Sequence, residues 1–458
     1  MRVALACAAW LALGLPCAAV FWRRGRPEVG VALLPFAGAL ALTLPLALAP
    51  WLGGSISHWP LRAVIAALAL APCAQALLRG APERSEAAPD TRGGALALAV
   101  LAAASLGLVL AGRALDAEGW PGYGWDGLSI WLVRAKVLAH SAELPAALFR
   151  ERQLVQGHWD YPLLLPALLA WFARVGGLEL RELALALGLV AACFAPALAL
   201  GLRSALPAPT AAALALAPFA VPGLVVTHFG AYADPLLVLV ALAGFAWSAA
   251  GAIRQDTALV AAGALALACA VATKNEGALW LLAATAGAIA LARAAGSSVA
   301  SALATGVRCA LPGLLIFAVW RATCARLGVA DTLPAELRFD LLGARAGELF
   351  EALRSFLGEP QRAIALGACV VATLALAGGA LRTRAARAAA LLAAPAVYLV
   401  GLSLVYLATP HELAWHLVTS LPRTLFGLAP ACLAAALLAS TLARVDTESE
   451  LASTRSLP

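Results

Sequence analysis

Long apolar runs, each close to the length of a membrane-crossing helix, follow one another along almost the whole chain. A helix needs about 20 predominantly apolar residues to cross a hydrocarbon core of roughly 30 Å. The runs therefore predict an all-α polytopic membrane protein with about 13 transmembrane helices. Their expected positions are 3–22, 29–52, 61–78, 95–112, 183–202, 208–226, 234–252, 257–273, 277–292, 309–325, 361–381, 388–407 and 423–443.

Composition excludes a soluble fold. Of the 458 residues 63% are apolar and only 12% are charged, whereas about a quarter of the residues in a soluble domain are charged. The net charge of +7 comes mostly from arginines at the ends of apolar runs, which is the distribution that the positive-inside rule describes. No nucleic-acid partner is therefore expected.

The basic loops also predict the orientation of the chain. A cluster of arginines at 23–26 follows the first apolar run, whereas a signal peptide carries its charge before that run, so a retained first span is favoured. Basic loops around 79–92 and 382–387, and the tail after 444, are expected inside. The chain then begins outside and ends inside, in a bacterial inner membrane.

When loops are assigned alternately to the inside and the outside, the assignment from the N-terminus disagrees with the one from the C-terminus across residues 161–175. The conflict disappears if this segment does not cross the membrane. At 1.5 Å per residue it reaches only about 22 Å, short of a bilayer core, and Pro162 and Pro166 lie near its start. We expect a re-entrant or interfacial segment, with a tilted true span as the alternative.

The large outer loop 113–160 is the longest polar interval and is expected to carry interfacial helices. Helical bundles ordinarily use connections of about 2–8 residues, so a loop of this length suggests a chemical role. In the predicted orientation, the polar motifs and all six histidines lie on the outer face. Such a one-sided cluster is typical of an active site, whereas a channel or pump needs ionisable groups near mid-membrane.

Two motifs lie in this loop. Asp126, in GWDG, precedes a helical pattern and is interpreted as the N-cap of an interfacial helix, as a general base, or as both. In HWDYP, His158 and Asp160 are a pair that binds divalent cations in other settings, but two ligands are too few to predict a site. A polar collar at the membrane surface and a substrate role both stay open.

Two further motifs border apolar runs. AYADP places Asp234 where it can cap a helix, and His228 and Tyr232 lie just before the same end of that helix. TKNEG joins two runs directly, which puts Lys274 where the phosphate of a lipid would lie. The alternative is that Lys274 and Glu276 form a local pair.

Metal and disulfide motifs are not predicted. In HELAWH the two histidines are five residues apart, one more than in the zinc motif HExxH, so they leave a common helical face. Nine cysteines occur without a CxxC pair, which indicates neither a disulfide framework nor a zinc site.

In their order along the chain, WD, HWDYP, AYADP and TKNEG resemble the motifs of the GT-C superfamily of integral-membrane glycosyltransferases. The resemblance covers about 95–300. It implies transfer of a sugar, with inversion, from a polyprenyl-phosphate donor to an envelope acceptor (lipid, lipopolysaccharide or protein) on the periplasmic face. By position it implies Asp126 as the base, Asp234 as a second acidic site, and Lys274 near the donor phosphate.

Gly127 stands where many members of that superfamily have a second acid, which leaves metal use and the acceptor type open. A divalent cation stays an option, and no other cofactor is expected. Lys136, the only other lysine, is a second candidate for donor binding. Candidates for the rest of the substrate site are His158, Asp160, Tyr161, His228, Tyr232, Glu276 and His416.

The expected domains are an N-terminal three-span extension at 1–94, a GT-C-like catalytic domain at 95–443 and a cytoplasmic tail at 444–458. Two other functions stay open. A flippase or transporter of lipid-linked sugars would show charged residues inside its spans and two similar halves. A polymerase or ligase of surface polysaccharide would use the same lipid carriers for a different reaction.

Overall fold

A computed structural model describes residues 1–79, 94–118, 123–144, 149–150, 158–179, 182–221, 223–329, 338–358, 390–409, 412–425, 427–428, 430–435 and 437–438. These residues form helices and short connections. They contain no β-strand, only an isolated bridge between Ser55 and Glu143.

Eighteen helices are named here for the described residues. The first nine are α1 (Arg2–Leu13), α2 (Leu15–Trp22), α3 (Pro27–Ala32), α4 (Leu34–Leu48), α5 (Trp59–Leu77), α6 (Gly94–Ala117), α7 (Val133–His140), α8 (Leu164–Arg174) and α9 (Leu183–Leu202). The others are α10 (Ala208–Ala220), α11 (Leu224–Phe229), α12 (Asp234–Arg254), α13 (Thr257–Thr273), α14 (Gly277–Ala294), α15 (Val299–Leu327), α16 (Leu342–Gly358), α17 (Ala390–Ala408) and α18 (Leu413–Leu425).

Within the described ranges, nine helical segments are long and apolar enough to cross a membrane. There are ten if α1 and α2, which meet at an angle of 47°, form one span. The prediction of an all-helical, multi-span membrane protein is therefore confirmed for this part of the chain. The number thirteen stays a prediction, because the run at 361–381 lies outside the described residues.

One expected span is interrupted, and the segment that was expected not to cross the membrane is short. The run at 208–226 divides into α10 and α11, because Gly223 adopts the left-handed φ of +86° immediately before α11, a conformation that glycine tolerates at no steric cost. The segment at 161–175 contains α8, which has 11 residues. At 1.5 Å per residue α8 is about 16 Å long, well short of a bilayer core.

Two expected loops are helical instead. The inside loop predicted at 293–308 is mostly part of α15, a 29-residue helix that begins where the Ser298 hydroxyl accepts a hydrogen bond from Ser301 N at 3.2 Å. The outer loop predicted at 408–422 is mostly α18, so the last candidate span begins at Leu413 rather than near 423. Window hydropathy missed the first turns of α18 because polar residues occupy one face of this amphipathic helix.

The core is formed by α12 and α13, whose small residues bring their backbones close together. A Cβ placed on Gly263 would lie 2.2 Å from Ser248 Oγ and 2.9 Å from Gly244 O. Nearby, the Phe36 ring meets the rings of Phe194 and Trp247, at centroid distances of 4.8 and 5.0 Å. The predicted N-terminal extension therefore shares its core with the rest of the bundle. The boundary at 94 stays a prediction.

The two ends of the bundle are held by polar contacts. At one end, the Asp116 carboxylate of α6 accepts hydrogen bonds from Ala184 N and Leu185 N at the start of α9, at 3.1 and 2.9 Å. At the other end, Arg26 pairs with Asp256 at 2.8 Å. Since α12 begins near the first end and finishes near the second, Asp234 and Arg254 mark the two ends.

Candidate functional site

Five ionisable residues converge at the end of the bundle where α12 begins. We call them the charged cluster: Asp126, Asp234, Lys274, Glu276 and Arg423. They come from four stretches of chain: the turn before α7, the first residue of α12, the connection between α13 and α14, which supplies both Lys274 and Glu276, and the middle of the last candidate span. With two cations and three carboxylates, the cluster has a formal charge of −1.

Lys274 is buried within the cluster and fully engaged. Its Nζ lies 2.9 Å from Asp234 Oδ1 and 2.9 Å from Glu276 Oε1, and 5.7 Å from the centre of the Tyr161 ring. Burial by itself would lower the pKa of the ammonium, but Asp234 and Glu276 raise that pKa well above its ordinary value. Lys274 therefore stays charged and is held by the protein's own carboxylates.

Arg423 joins the two carboxylates that the sequence motifs singled out. Its Nη1 donates to Asp126 Oδ2 and lies 3.9 Å from Asp234 Oδ2. The guanidinium also stands 4.9 Å from the centre of the Tyr232 ring, within the range of a cation–π contact. Its side chain is 18% exposed, compared with 7% for Lys274, so Arg423 is the more accessible of these two cations.

Asp126 is brought to Arg423 by a close contact between two turns. Gly124 N donates to Gly230 O at 3.2 Å, and a Cβ on Gly127 would lie only 2.1 Å from Gly230 O. No side chain fits at 127 while this contact exists. The glycine at the position where the resembled superfamily has a second acid therefore has a steric reason in this chain.

A stack of aromatic rings borders the cluster. The Tyr161 ring lies between the Trp131 and His158 rings, at centroid distances of 5.4 and 5.1 Å and nearly parallel to both. Burial lowers the pKa of His158 below its ordinary value, which favours the neutral imidazole. His158 has a left-handed φ of +44°, which is uncommon for a residue with a side chain.

Buried Arg134, in α7, holds this turn in place. It donates to the carbonyl oxygens of His158 and Tyr161, the latter at 2.7 Å, and its guanidinium lies 5.0 Å from the centre of the Trp159 ring. The same turn is tied to the bundle through Asp160, whose Oδ2 accepts from Asn275 Nδ2 at 2.7 Å. The HWDYP and TKNEG motifs are therefore in direct contact.

Not all predicted site residues belong to this cluster. Lys136 is exposed on α7 and forms no ion pair with the described residues. His228 is buried, and its Nε2 lies 2.8 Å from Leu187 O in α9, which is a structural role. His416 lies about two turns before Arg423 in α18, and its ring packs against that of Tyr406 at a centroid distance of 4.8 Å.

The prediction that all six histidines lie on one face can be compared with the structure only for the described histidines. His58 and His140 adjoin two loops that meet where Ser57 Oγ donates to Ala142 O at 3.1 Å. Arg174, at the end of α8, reaches Ser57 O at 3.4 Å, so α8 returns to this same group of loops. His411 lies outside the described residues.

The helix-capping interpretations of the two carboxylates are wrong. Asp126 occupies the position before the π-helical turn Gly127–Leu132 but makes no side-chain cap bond. Asp234 is the first residue of α12, and Ala233 precedes it without a side-chain cap. Both carboxylates turn instead toward the cations of the cluster, since ion pairing in a buried setting outweighs a single cap hydrogen bond.

Two carboxylate oxygens of the cluster keep unused acceptor capacity. Asp234 Oδ2 and Glu276 Oε2 are buried and accept no hydrogen bond from the described residues. A cavity of about 10 Å³ lies between Asp234, Glu276 and Arg423, which is room for one water molecule. A larger ligand must therefore approach from the exposed side of Asp126 and Arg423.

Metal binding gains no geometric support in the described ranges. No three His, Cys, Asp or Glu side chains there are close enough to hold one ion. The carboxylates of the cluster are already occupied by the protein's own cations: Arg423 pairs with Asp126 and Lys274 with Asp234 and Glu276.

Arg423 is the residue that sequence reasoning missed as part of the site. The sequence contains a signal for it: an arginine inside an amphipathic helix that opens a candidate span. Ionisable residues in such positions are expensive unless they are paired.

No protein-family model, no curated protein and no solved structure matches the chain.

Proposed function

We propose that this chain is a membrane glycosyltransferase that moves a sugar from a polyprenyl-phosphate donor to an envelope acceptor on the periplasmic face of a bacterial inner membrane. One observation carries the proposal: the partly exposed Asp126–Arg423 pair at one end of an apolar helix bundle. It puts a carboxylate and a cation side by side where a lipid-linked phosphate and a hydroxyl acceptor could both reach them.

The chemistry requires a base and a site for the leaving phosphate. The acceptor oxygen attacks the anomeric carbon, the bond from that carbon to the phosphate oxygen breaks with its electron pair, and the hydroxyl proton passes to the base. Asp126 is the better base, since its side chain is 21% exposed and that of Asp234 only 4%. General-base help of this kind contributes about 10²–10⁴-fold to a rate.

The test compares cells with and without the protein by mass spectrometry of envelope glycans. We expect loss of one sugar substituent and accumulation of its lipid-linked donor on the periplasmic side. Complementation with Asp126→Asn should restore at most about one hundredth of the wild-type transfer rate. Asp340→Asn, which changes an exposed aspartate outside the cluster, should restore it fully.

The same measurement separates the rival functions. A donor that accumulates on the cytoplasmic side would identify a flippase. Shortened or unattached polysaccharide would identify a polymerase or ligase. Glycans that do not change when the protein is removed would refute the proposed transfer.

A further inference from the structure

Arg423 makes contacts through all three of its guanidinium nitrogens and one face of its guanidinium plane. Its Nε and Nη2 donate to Thr419 O, one turn earlier in α18, at 3.1 and 2.8 Å. Its Nη1 donates to Asp126 Oδ2, and the face of its guanidinium lies over the Tyr232 ring. The guanidinium is therefore fixed in place, with only its bond to Asp126 on the accessible side of the cluster.

Lys274 is a poor phosphate contact by comparison. Its ammonium is 7% exposed and already neutralised by two carboxylates at 2.9 Å. To bind a phosphate, Lys274 would have to leave both and uncover two buried negative charges. Arg423 needs only to exchange one partially exposed carboxylate for a phosphate oxygen, so its own charge stays paired throughout.

We infer that Arg423 is the donor-phosphate contact and that it keeps Asp126 in an ion pair until the phosphate takes the place of the carboxylate. This inference rests on the proposed function and assigns the order of its steps. While Arg423 Nη1 donates to Asp126 Oδ2, the guanidinium competes with an acceptor hydroxyl for that oxygen. The donor phosphate then does two things at once: it occupies the guanidinium and it frees the base.

The charges and geometry favour this exchange. A guanidinium donates to phosphate oxygens as it does to carboxylate oxygens. Because Asp126 is bonded through Nη1 alone while Nε and Nη2 donate to Thr419 O, a phosphate oxygen can replace Asp126 without disturbing the contacts within α18. Asp234 stays within 3.9 Å of Arg423, and its pairing with Lys274 does not depend on Asp126. The rest of the cluster can therefore keep its arrangement when Asp126 leaves.

The inference predicts that Asp126 competes with phosphate for Arg423. The probe is farnesyl phosphate, titrated onto the purified full-length protein in lipid nanodiscs. Asp126→Asn should bind farnesyl phosphate about three- to tenfold more tightly than the wild type, because the competing carboxylate has lost its charge. Arg423→Gln should bind at least about tenfold more weakly, since the charged donor is gone.

The double variant Asp126→Asn/Arg423→Gln distinguishes competition from a structural effect. It should bind like Arg423→Gln alone, because Asp126 acts on the probe only through Arg423. Arg423→Lys, which keeps the charge and loses the planar fork, should fall between the wild type and Arg423→Gln and shows whether the site tolerates substitution. Arg338→Gln is the matched control, since Arg338 pairs with Asp340 on an exposed surface, and it should leave binding unchanged.

Two results would overturn the inference: unchanged or weaker binding by Asp126→Asn, or normal binding by a folded Arg423→Gln or Arg423→Lys protein. Inorganic phosphate is the second arm; if it binds as tightly as farnesyl phosphate, the site serves a free anion rather than a lipid. Binding needs no sugar transfer. If envelope glycans are unchanged but the variants bind farnesyl phosphate in the predicted order, phosphate does displace Asp126 from Arg423. In that case the inference holds and the proposed sugar transfer is refuted.

Discussion

At the scale of single residues, the two lysines show that the surroundings of a side chain determine its role. Both occur in polar motifs, and both were candidates for donor binding. Lys136 is exposed, whereas Lys274 is 5% exposed and sits between two carboxylates. Removing one member of a buried ion pair costs about 3–5 kcal/mol, because the remaining charge is left without compensation. Lys274 is therefore a structural centre of the cluster.

We expect Lys274→Ala to lower the free energy of unfolding by about 3–5 kcal/mol, measured by SDS or thermal unfolding of the purified protein. Adding Asp234→Asn to the same chain should recover part of this loss, because it removes one of the stranded charges. Lys136→Ala is the matched control and should have no measurable effect. If Lys274→Ala and Lys136→Ala unfold alike, the buried pairing described above is not what stabilises this end of the bundle.

At the scale of helices, α12 and α13 depend on small residues. The window of α12 that could cross a membrane is 94% buried, so this helix is surrounded by protein rather than lipid. Without a hydrophobic driving force between helices in a membrane, close contact through small residues supplies much of the attraction. Because Asp234 begins α12 and Lys274 follows α13, the distance between these helices also sets the geometry of the Asp234–Lys274 pair.

Gly263→Val should destabilise the bundle by about 1–3 kcal/mol or more, since the new side chain would meet Ser248 and Gly244 backbone atoms that cannot move aside. Unfolding and farnesyl phosphate binding should both be affected. Gly107→Val, in α6, is the control, because a Cβ there has no neighbour within 4 Å among the described residues. Equal stability of the two variants would contradict the close α12–α13 contact.

At the scale of the whole molecule, the charged cluster and the loops around it lie at the same end of the bundle as α8. Trp171, in α8, donates to Ala6 O at 2.8 Å and its ring lies 5.9 Å from that of Trp59, at the start of α5. The beginning of α8 is near Asp160, and its last residue reaches Ser57. That α8 does not cross the membrane stays a prediction from the basic loops.

Single cysteines, in a background without the nine native cysteines, test this topology. Lys136→Cys and Glu179→Cys, both at exposed positions, should react with a membrane-impermeant maleimide from the outside of intact cells. Ser204→Cys, beyond α9, should react only after the membrane is opened. Glu179→Cys labelling from the inside alone would mean that α8 crosses the membrane.

Local patterns were enough to predict the helical, multi-span class, because the length of an apolar run fixes how a chain can meet a bilayer. They also identified Asp126, Asp234, Lys274 and Glu276, since charged groups between apolar runs are costly and seldom accidental. Partners could not be predicted. Arg423 and Asp126 are 297 positions apart, and Asn275 and Asp160 are 115 apart. Which carboxylate caps a helix and which pairs with a distant cation depends on how the helices pack, and only the tertiary structure decided that.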